Sequence, residues 1–439
     1  MVDPILFYID SLRWEELKMI RITDGDLLHV YGSQGMGGDY SVRLEVQMKD
    51  VVDGETLQKA VGNTSKRYPY LSLQMKKNET ELYYEENPAP VVLLNTDRQI
   101  TLAAEETNFH VWAVCFKDDR IFLDIYHGIA DGTGMYMVFS TLLYYYCEGR
   151  YGIQDHTGIR TLEDEIRPEE SADPVDLFPE MDPSKIPAPS LPEAFSIIND
   201  GGARSDGKAY INDVKIPEAE FVRFCQEYEA SPGTMLSLLM TRAIHSIHPQ
   251  TERPFNSSYV YNGRPMLGAP ETHHNCVGTN VFQFSDKMKK MPFDLQATAY
   301  RGMTFMQSDA DRVKQSMAVT AARSRMVLKM APTVEAKCGA YAQMLMGGIR
   351  YFTYMVSYVG KWKYASVEPY ILEFWTHVPK ANPFLTELAA VNGILFLSIQ
   401  QGFEGNDYLN AFFDQLKEHG IPYELTRTKE NDTAHFLKM

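Results

Sequence analysis

Residues 134–147 read Gly-Met-Tyr-Met-Val-Phe-Ser-Thr-Leu-Leu-Tyr-Tyr-Tyr-Cys and carry almost no polar side chain. A helix that is apolar all round has no face to give to water, so this one must lie at the centre of the fold. Arg120-Ile-Phe-Leu-Asp-Ile-Tyr126, just before it, reads as the second strand of a hairpin with 111–116. Between strand and helix stands His127-Gly-Ile-Ala-Asp131-Gly132. A histidine at a strand end, with a carboxylate four residues on and a helix opening behind it, is a seat for general-base chemistry. A neutral imidazole takes a proton near pH 7 better than any other side chain. Asp131 shares the turn and either orients the ring or locks the loop through a basic partner. Gly132 permits a tight backbone and puts N–H groups at the helix start, where developing negative charge is favoured. Thr133 reads as the N-cap.

A chain of 439 residues exceeds one ordinary core. Both halves mix strands and helices. Strand 40–48, helix 53–68 and a hairpin around Asn78 open the first. The second carries strands near 209–216, 256–261, 281–284, 351–359, 373–378 and 393–400. Its expected helices are 218–228, 234–246, a long one over 293–317, and 407–419. Between the halves runs a stretch rich in proline and acid that cannot pack a core of its own. The resulting division is an N-terminal lobe 1–160 carrying the His127 motif, a linker 161–205 and a C-terminal lobe 206–439.

The net charge of −16 argues against a nucleic-acid partner, because phosphate binding needs a basic face. The charge is uneven. Residues 154–200 hold twelve acids against three bases, whereas 287–330 hold nine bases against three acids. The basic stretch, with Lys287, Lys289, Lys290, Arg323 and Arg325, is either a solvated helix face or the mouth that receives a phosphorylated cofactor. Five scattered cysteines without C-x-x-C spacing suit free, mostly buried thiols in a reducing compartment. No signal peptide and no membrane span are expected, so the chain reads as cytoplasmic. His273-His274 with Cys276 lacks the second ligand pair of a zinc site; an edge loop is expected there, and no metal. No G-x-S-x-G or P-loop motif is present. Gly35, Gly37 and Gly38 read as a flexible loop. Asp10-Ser11-Leu12 echoes a pantetheinylation site but has no room before it for a carrier bundle.

His127-Gly-Ile-Ala-Asp131-Gly132 resembles the H-x-x-x-D-G signature of the chloramphenicol-acetyltransferase-like superfamily, which includes peptide-synthetase condensation domains, alcohol acyltransferases and polyketide-associated acyltransferases. The resemblance continues in family order through Arg67-Tyr-Pro-Tyr-Leu71, Tyr261-Asn-Gly-Arg264-Pro265, Val277-Gly-Thr-Asn280, Val356-Ser357-Tyr358-Val-Gly360 and Asn392–Ser398. It implies an α/β (α+β) fold of two similar lobes, with mixed sheets flanked by helices and a tunnel between them. It implies acyl transfer from a thioester to a hydroxyl or amine. The donor is acyl-CoA or an acyl-phosphopantetheine on an acyl carrier protein, and no cofactor is permanently bound. His127 would be the base, Asp131 a structural partner of Arg264, and Ser357 a donor to the oxyanion. Three readings follow: a free-standing CoA-dependent acyltransferase, a carrier-dependent condensation enzyme, or a catalytically silent binding member. Tyr126 stands where many members have a first histidine, and Tyr358 where Asn is usual. The plant Asp-Phe-Gly-Trp-Gly motif is absent, so the branch stays open.

Overall fold

A computed structural model describes residues 19–38, 40–187, 191–378 and 383–431. Asp10-Ser11-Leu12 lies outside the described residues. Two mixed sheets dominate. A five-stranded sheet runs in the order Ile371–His377, Ser41–Met48, Arg120–Tyr126, Trp112–Lys117, Leu93–Asn95. A seven-stranded sheet runs Val277–Phe284, Phe255–Asn262, Tyr354–Lys361, Phe384–Val391, Ile394–Gln401, Tyr210–Pro217, Glu424–Glu430. A small third sheet is built on the hairpin Leu73–Lys77 and Leu82–Glu86.

The strand that ends in Tyr126 is the central strand of the five. The apolar helix Gly132–Tyr151 that follows is buried along most of its length, in the larger of two hydrophobic cores. Its N-cap is Asp131, whose side chain accepts from the Gly134 N–H. Thr133 is the second helical residue, so the expectation that it caps the helix is corrected: the carboxylate one residue outside reaches the orphan N–H first.

The chain does not stay within the lobes drawn from sequence. Ile371–His377, from the second half, pairs antiparallel with Ser41–Met48 and completes the edge of the first sheet. The helix expected over 293–317 is two helices, Phe293–Gln307 and Ala310–Met330. They are broken where Asp309 turns out to cap the second by accepting from the Arg312 N–H. The helix Val334–Ile349 and the strand Phe384–Val391, to which the sequence reading assigns no element, complete the second half.

Part of the basic stretch is tied to the crossover. Arg325 donates to Asp24 at 2.6 Å and to the Phe178 carbonyl at 2.8 Å, Arg323 donates to the Pro187 carbonyl, and Lys329 to Glu180 at 2.7 Å. On the other lobe, Arg67 grips Glu170 bidentately at 2.9 Å. The acidic crossover is thus strapped to a basic helix on one side and to a buried arginine on the other. Arg325 is held in these contacts, and neither Arg323 nor Arg325 lines the cavity described below.

Gly32 and Gly35 also acquire a reason. They lie on the helix Leu27–Gly35, not in a loop. A β-carbon on Gly32 would strike Leu345, and one on Gly35 the Cys338 carbonyl. The two glycines let this helix press against Val334–Ile349, which no larger residue would permit. Among the described residues, no helix is long and apolar enough to cross a membrane.

Candidate active site

His127 leaves the central strand at the seam between the two large sheets. The seam is tight: a β-carbon on Gly132 would strike Val359 of the facing strand, and one on Gly134 the His273 carbonyl. A cavity of about 480 Å³ opens there, within the range of small-molecule sites. Its wall includes His127, Asp131, Gly132 and Thr133 from the first half and Ser357, Tyr358 and Glu387 from the second.

The His127 backbone is fixed on both sides. Its N–H donates to the Tyr40 carbonyl at 2.9 Å, and its carbonyl accepts from Asn275 Nδ2 at 2.9 Å. The ring is packed: Nδ1 is buried without a hydrogen bond of ordinary geometry, although its own carbonyl and the Asn275 side chain lie near enough to favour the protonated form. The His29 imidazole stacks on it, centroids 4.7 Å apart and 7° from parallel, and Tyr40 covers it at 5.2 Å. Burial lowers the His127 pKa below the usual histidine value, more than the opposing pull of its own carbonyl, Asp131 and Asp26. Burial, with a smaller contribution from His127, drives His29 down to about 3. Both rings are therefore neutral at physiological pH.

Asp131 does not reach toward the ring as a partner would. It is 1 % exposed and faces Arg264, which is 2 % exposed, in a bidentate pair at 2.7 and 2.8 Å. The carboxylate also accepts from the Gly134 and Cys276 N–H groups, both at 3.0 Å. Arg264 donates onward to the Thr272 and His274 carbonyls at 2.9 Å. One carboxylate thus caps the helix behind His127 and ties it to the other half of the chain.

A second junction stands beside it, and nothing in the sequence pattern marked it. Asp26 accepts from His274 Nδ1 at 2.6 Å and from Asn275 Nδ2 at 2.7 Å, the same amide that holds the His127 carbonyl. His274 Nε2 faces the Ser171 carbonyl at 3.1 Å. Both ring nitrogens meet acceptors only, so both carry protons and the ring is an imidazolium. Burial alone would lower its pKa; Asp26, helped by Asp173, outweighs that and holds it at about 9. His273 donates from Nδ1 to the Ile129 carbonyl at 2.6 Å. The two histidines do lie in the loop that enters the edge strand Val277–Phe284, but they are buried there and act as struts between lobes. A second cavity, of about 910 Å³, lies beyond Asp26 against His273 and His274. The His274 proton stabilises the fold fully below pH 6.5, and that contribution is lost as pH rises through about 9. The melting temperature is expected to decline across that window in a thermal melt series, and His274→Gln to flatten the decline while lowering stability at pH 6.

The other candidate residues are placed unevenly. Ser357 lines the cavity beside Glu387, its partner in parallel register, whose pKa it pulls down. Lys287, Lys289, Lys290, Arg323 and Arg325 do not line it; Arg312, from the same basic stretch, does. Lys289 is held by Asp286 at 2.8 Å and the Thr251 carbonyl at 2.6 Å. Tyr126 points away from the cavity. Its hydroxyl meets Ser33 Oγ at 2.6 Å and so fastens the helix that carries His29. His29, Asn275 and Glu387 are site residues that sequence reasoning missed. Among the described residues, no group of three or more potential ligands could hold a metal.

No family model and no curated protein sequence matches this chain. Solved structures do. Polyketide synthase associated protein 5 from Mycobacterium tuberculosis superposes with a TM-score of 0.62 at 11% identity, covering 91% of this chain and 96% of that one. The condensation domain of the Monacolin K polyketide synthase MokA gives 0.59 at 12%, covering 92% and 96%. TRI101 of F. sporotrichioides, in complex with coenzyme A and T-2, gives 0.56 at 10%, covering 90% and 97%. At such identities the likeness is one of architecture: along nearly its whole length, the chain has the two-lobed fold of the chloramphenicol-acetyltransferase-like and condensation-domain proteins.

Proposed function

We propose that this chain is an acyltransferase that moves an acyl group from a thioester, with acyl-CoA preferred, to a hydroxyl or amine acceptor. The observation that supports this reading most is the place and state of His127: a neutral, backbone-anchored imidazole set in the wall of a cavity between two sheets. Its place sets it apart: His29, His110 and His419 also have a buried ring nitrogen without a partner, but of these only His29 shares the cavity wall with His127. The ring removes the acceptor's proton as the acceptor oxygen or nitrogen bonds to the thioester carbonyl carbon. A tetrahedral oxyanion forms beside the first turn of the Gly132–Tyr151 helix. Its collapse breaks the C–S bond, and the departing sulfur takes the proton from the imidazolium. Asp131 and Arg264 hold the turn rather than the substrate. Arg312, at the cavity wall and without an acidic partner among the described residues, is the cation placed to meet a phosphate of the donor.

Thiol release, followed with a panel of acyl-CoA and acyl-carrier donors and with alcohol and amine acceptors, tests this. Acceptor-dependent release from acyl-CoA is expected. Release from carrier-tethered donors alone would assign the condensation reading. No release above that of the His127→Ala protein, with any donor, would leave a binding protein instead.

A further inference from the structure

The acyl-transfer reading leaves one buried ionisable group in the cavity unexplained. Three carboxylates line the wall. Asp24 is paired with Arg21 and Arg325, and Asp131 with Arg264. Glu387 is 7 % exposed, and among the described residues no Lys, Arg or His forms an ion pair with it. It sits near the middle of Phe384–Val391, beside Ser357 in parallel register and opposite Ser398. The Ser398 hydroxyl is committed to Asp213 at 2.9 Å, so of the two register neighbours Ser357 is the one placed to donate to Glu387. Around it the wall is largely apolar, with Leu385, Met355, Val359 and Phe352.

A carboxylate in such a place is costly to ionise. Burial lifts the Glu387 pKa to about 7, against a smaller pull down from Ser357. A structural acid would have been given an arginine, as Asp131, Glu170 and Asp124 were. One hydroxyl donor leaves most of its lone pairs unmet. A ligand ammonium supplies both the missing charge and up to three donors; an alcohol supplies one donor and no charge.

We propose that Glu387, presented with Ser357 on the wall of the cavity that holds His127, is the acceptor-recognition residue and selects an acceptor bearing a protonated amine. This rests on the acyl-transfer reading for the word acceptor, but the binding it asserts needs no turnover. The ammonium docks on Glu387 as an anchor, and a second hydroxyl or amine of the same molecule is the nucleophile offered to His127. Ser357 then positions the Glu387 carboxylate instead of donating to the oxyanion.

The test is isothermal titration calorimetry on the full chain, without acyl donor, using the near-isosteric pair 2-phenylethylamine and 2-phenylethanol at pH 7. The amine is expected to bind on the order of ten- to a hundred-fold more tightly, the range of a charge-assisted hydrogen bond. Repeating the titration in buffers of different ionisation enthalpy should show about half a proton released per amine bound, as docking ionises Glu387. Glu387→Gln should abolish both the preference and the release, while Ser357→Ala should keep the preference. Equal affinities, no binding of either probe, or a preference unchanged in a folded Glu387→Gln protein would overturn the proposal. Should Glu387→Gln fail to fold, proton release by the wild type decides alone, since an apolar contact would release none. Amine binding without thiol release from any donor would sink the acyltransferase reading only. Thiol release without amine preference would sink this inference only.

Discussion

Arg264→Met is expected to bring the protein close to unfolding, with its urea midpoint falling steeply and soluble yield with it. The substitution leaves the Asp131 carboxylate 1 % exposed with only two N–H groups to answer it. Removing one partner of a buried ion pair costs about 3–5 kcal/mol, because the survivor keeps its desolvation penalty and loses its compensation. Against a total stability on the order of 5–15 kcal/mol that is a large share. The same change also frees the Thr272 and His274 carbonyls and loosens the turn behind His127. Asp131→Asn should be milder. An amide oxygen can still cap the helix by accepting from Gly134, and Arg264 keeps its two carbonyls, but the charge is lost. Both variants should lose activity in step with stability, measured at a temperature where each is folded. An Asp131→Asn protein with an unchanged midpoint and a rate that has collapsed would show instead that the carboxylate acts on the substrate directly.

The strand, turn and buried helix around His127 were legible in sequence because each is set by local periodicity and by an apolar run too long for a surface. The Asp131–Arg264 pairing rested on resemblance, since nothing local relates residues 133 positions apart. What escaped was decided at distance. The helix carrying His29 looks like a glycine-rich loop until Val334–Ile349 packs on it, and its reason for glycine lies some 300 residues away. Helix 293–317 read as continuous because the apolar spacing runs on past Asp309, whose capping role appears only once the chain turns. Ile371–His377 announced itself as a strand, but its alternation holds no information on which sheet receives it. The acidic and basic stretches were each visible; where their charges find partners is tertiary, since Arg325 pairs with Asp24 and Glu170 with Arg67. Glu387 sits in a strand buried along its whole length, where no local pattern distinguishes a cavity wall from a core.

His127→Ala is expected to lower the rate of acyl transfer by about 10²- to 10⁴-fold, the usual contribution of a positioned general base, while changing the melting temperature far less than Arg264→Met does. The two halves of that prediction come from one fact. A buried imidazole with no ordinary hydrogen bond at Nδ1 adds little by polar contact, and its desolvation cost offsets part of the packing lost against His29 and Tyr40. Its backbone anchors to Tyr40 and Asn275 survive the substitution. Arg264→Met should lose rate and stability together; His127→Ala should lose mainly rate, and that contrast separates scaffold from chemistry. The pH profile supplies a further sign. The neutral ring is the active form, and burial holds its pKa below the ordinary 6.5, so with an alcohol acceptor that carries no amine for Glu387 the rate should climb with pH on an acid limb centred below that value and be level above it. His29→Ala removes the ring stacked at 4.7 Å and lets water reach the base. The acid limb should then move up toward 6.5, a displacement readable from the pH dependence of kcat/KM. A limb that stays in place without His29, or one absent from the wild type, would mean that His127 is not the group whose protonation stops the reaction.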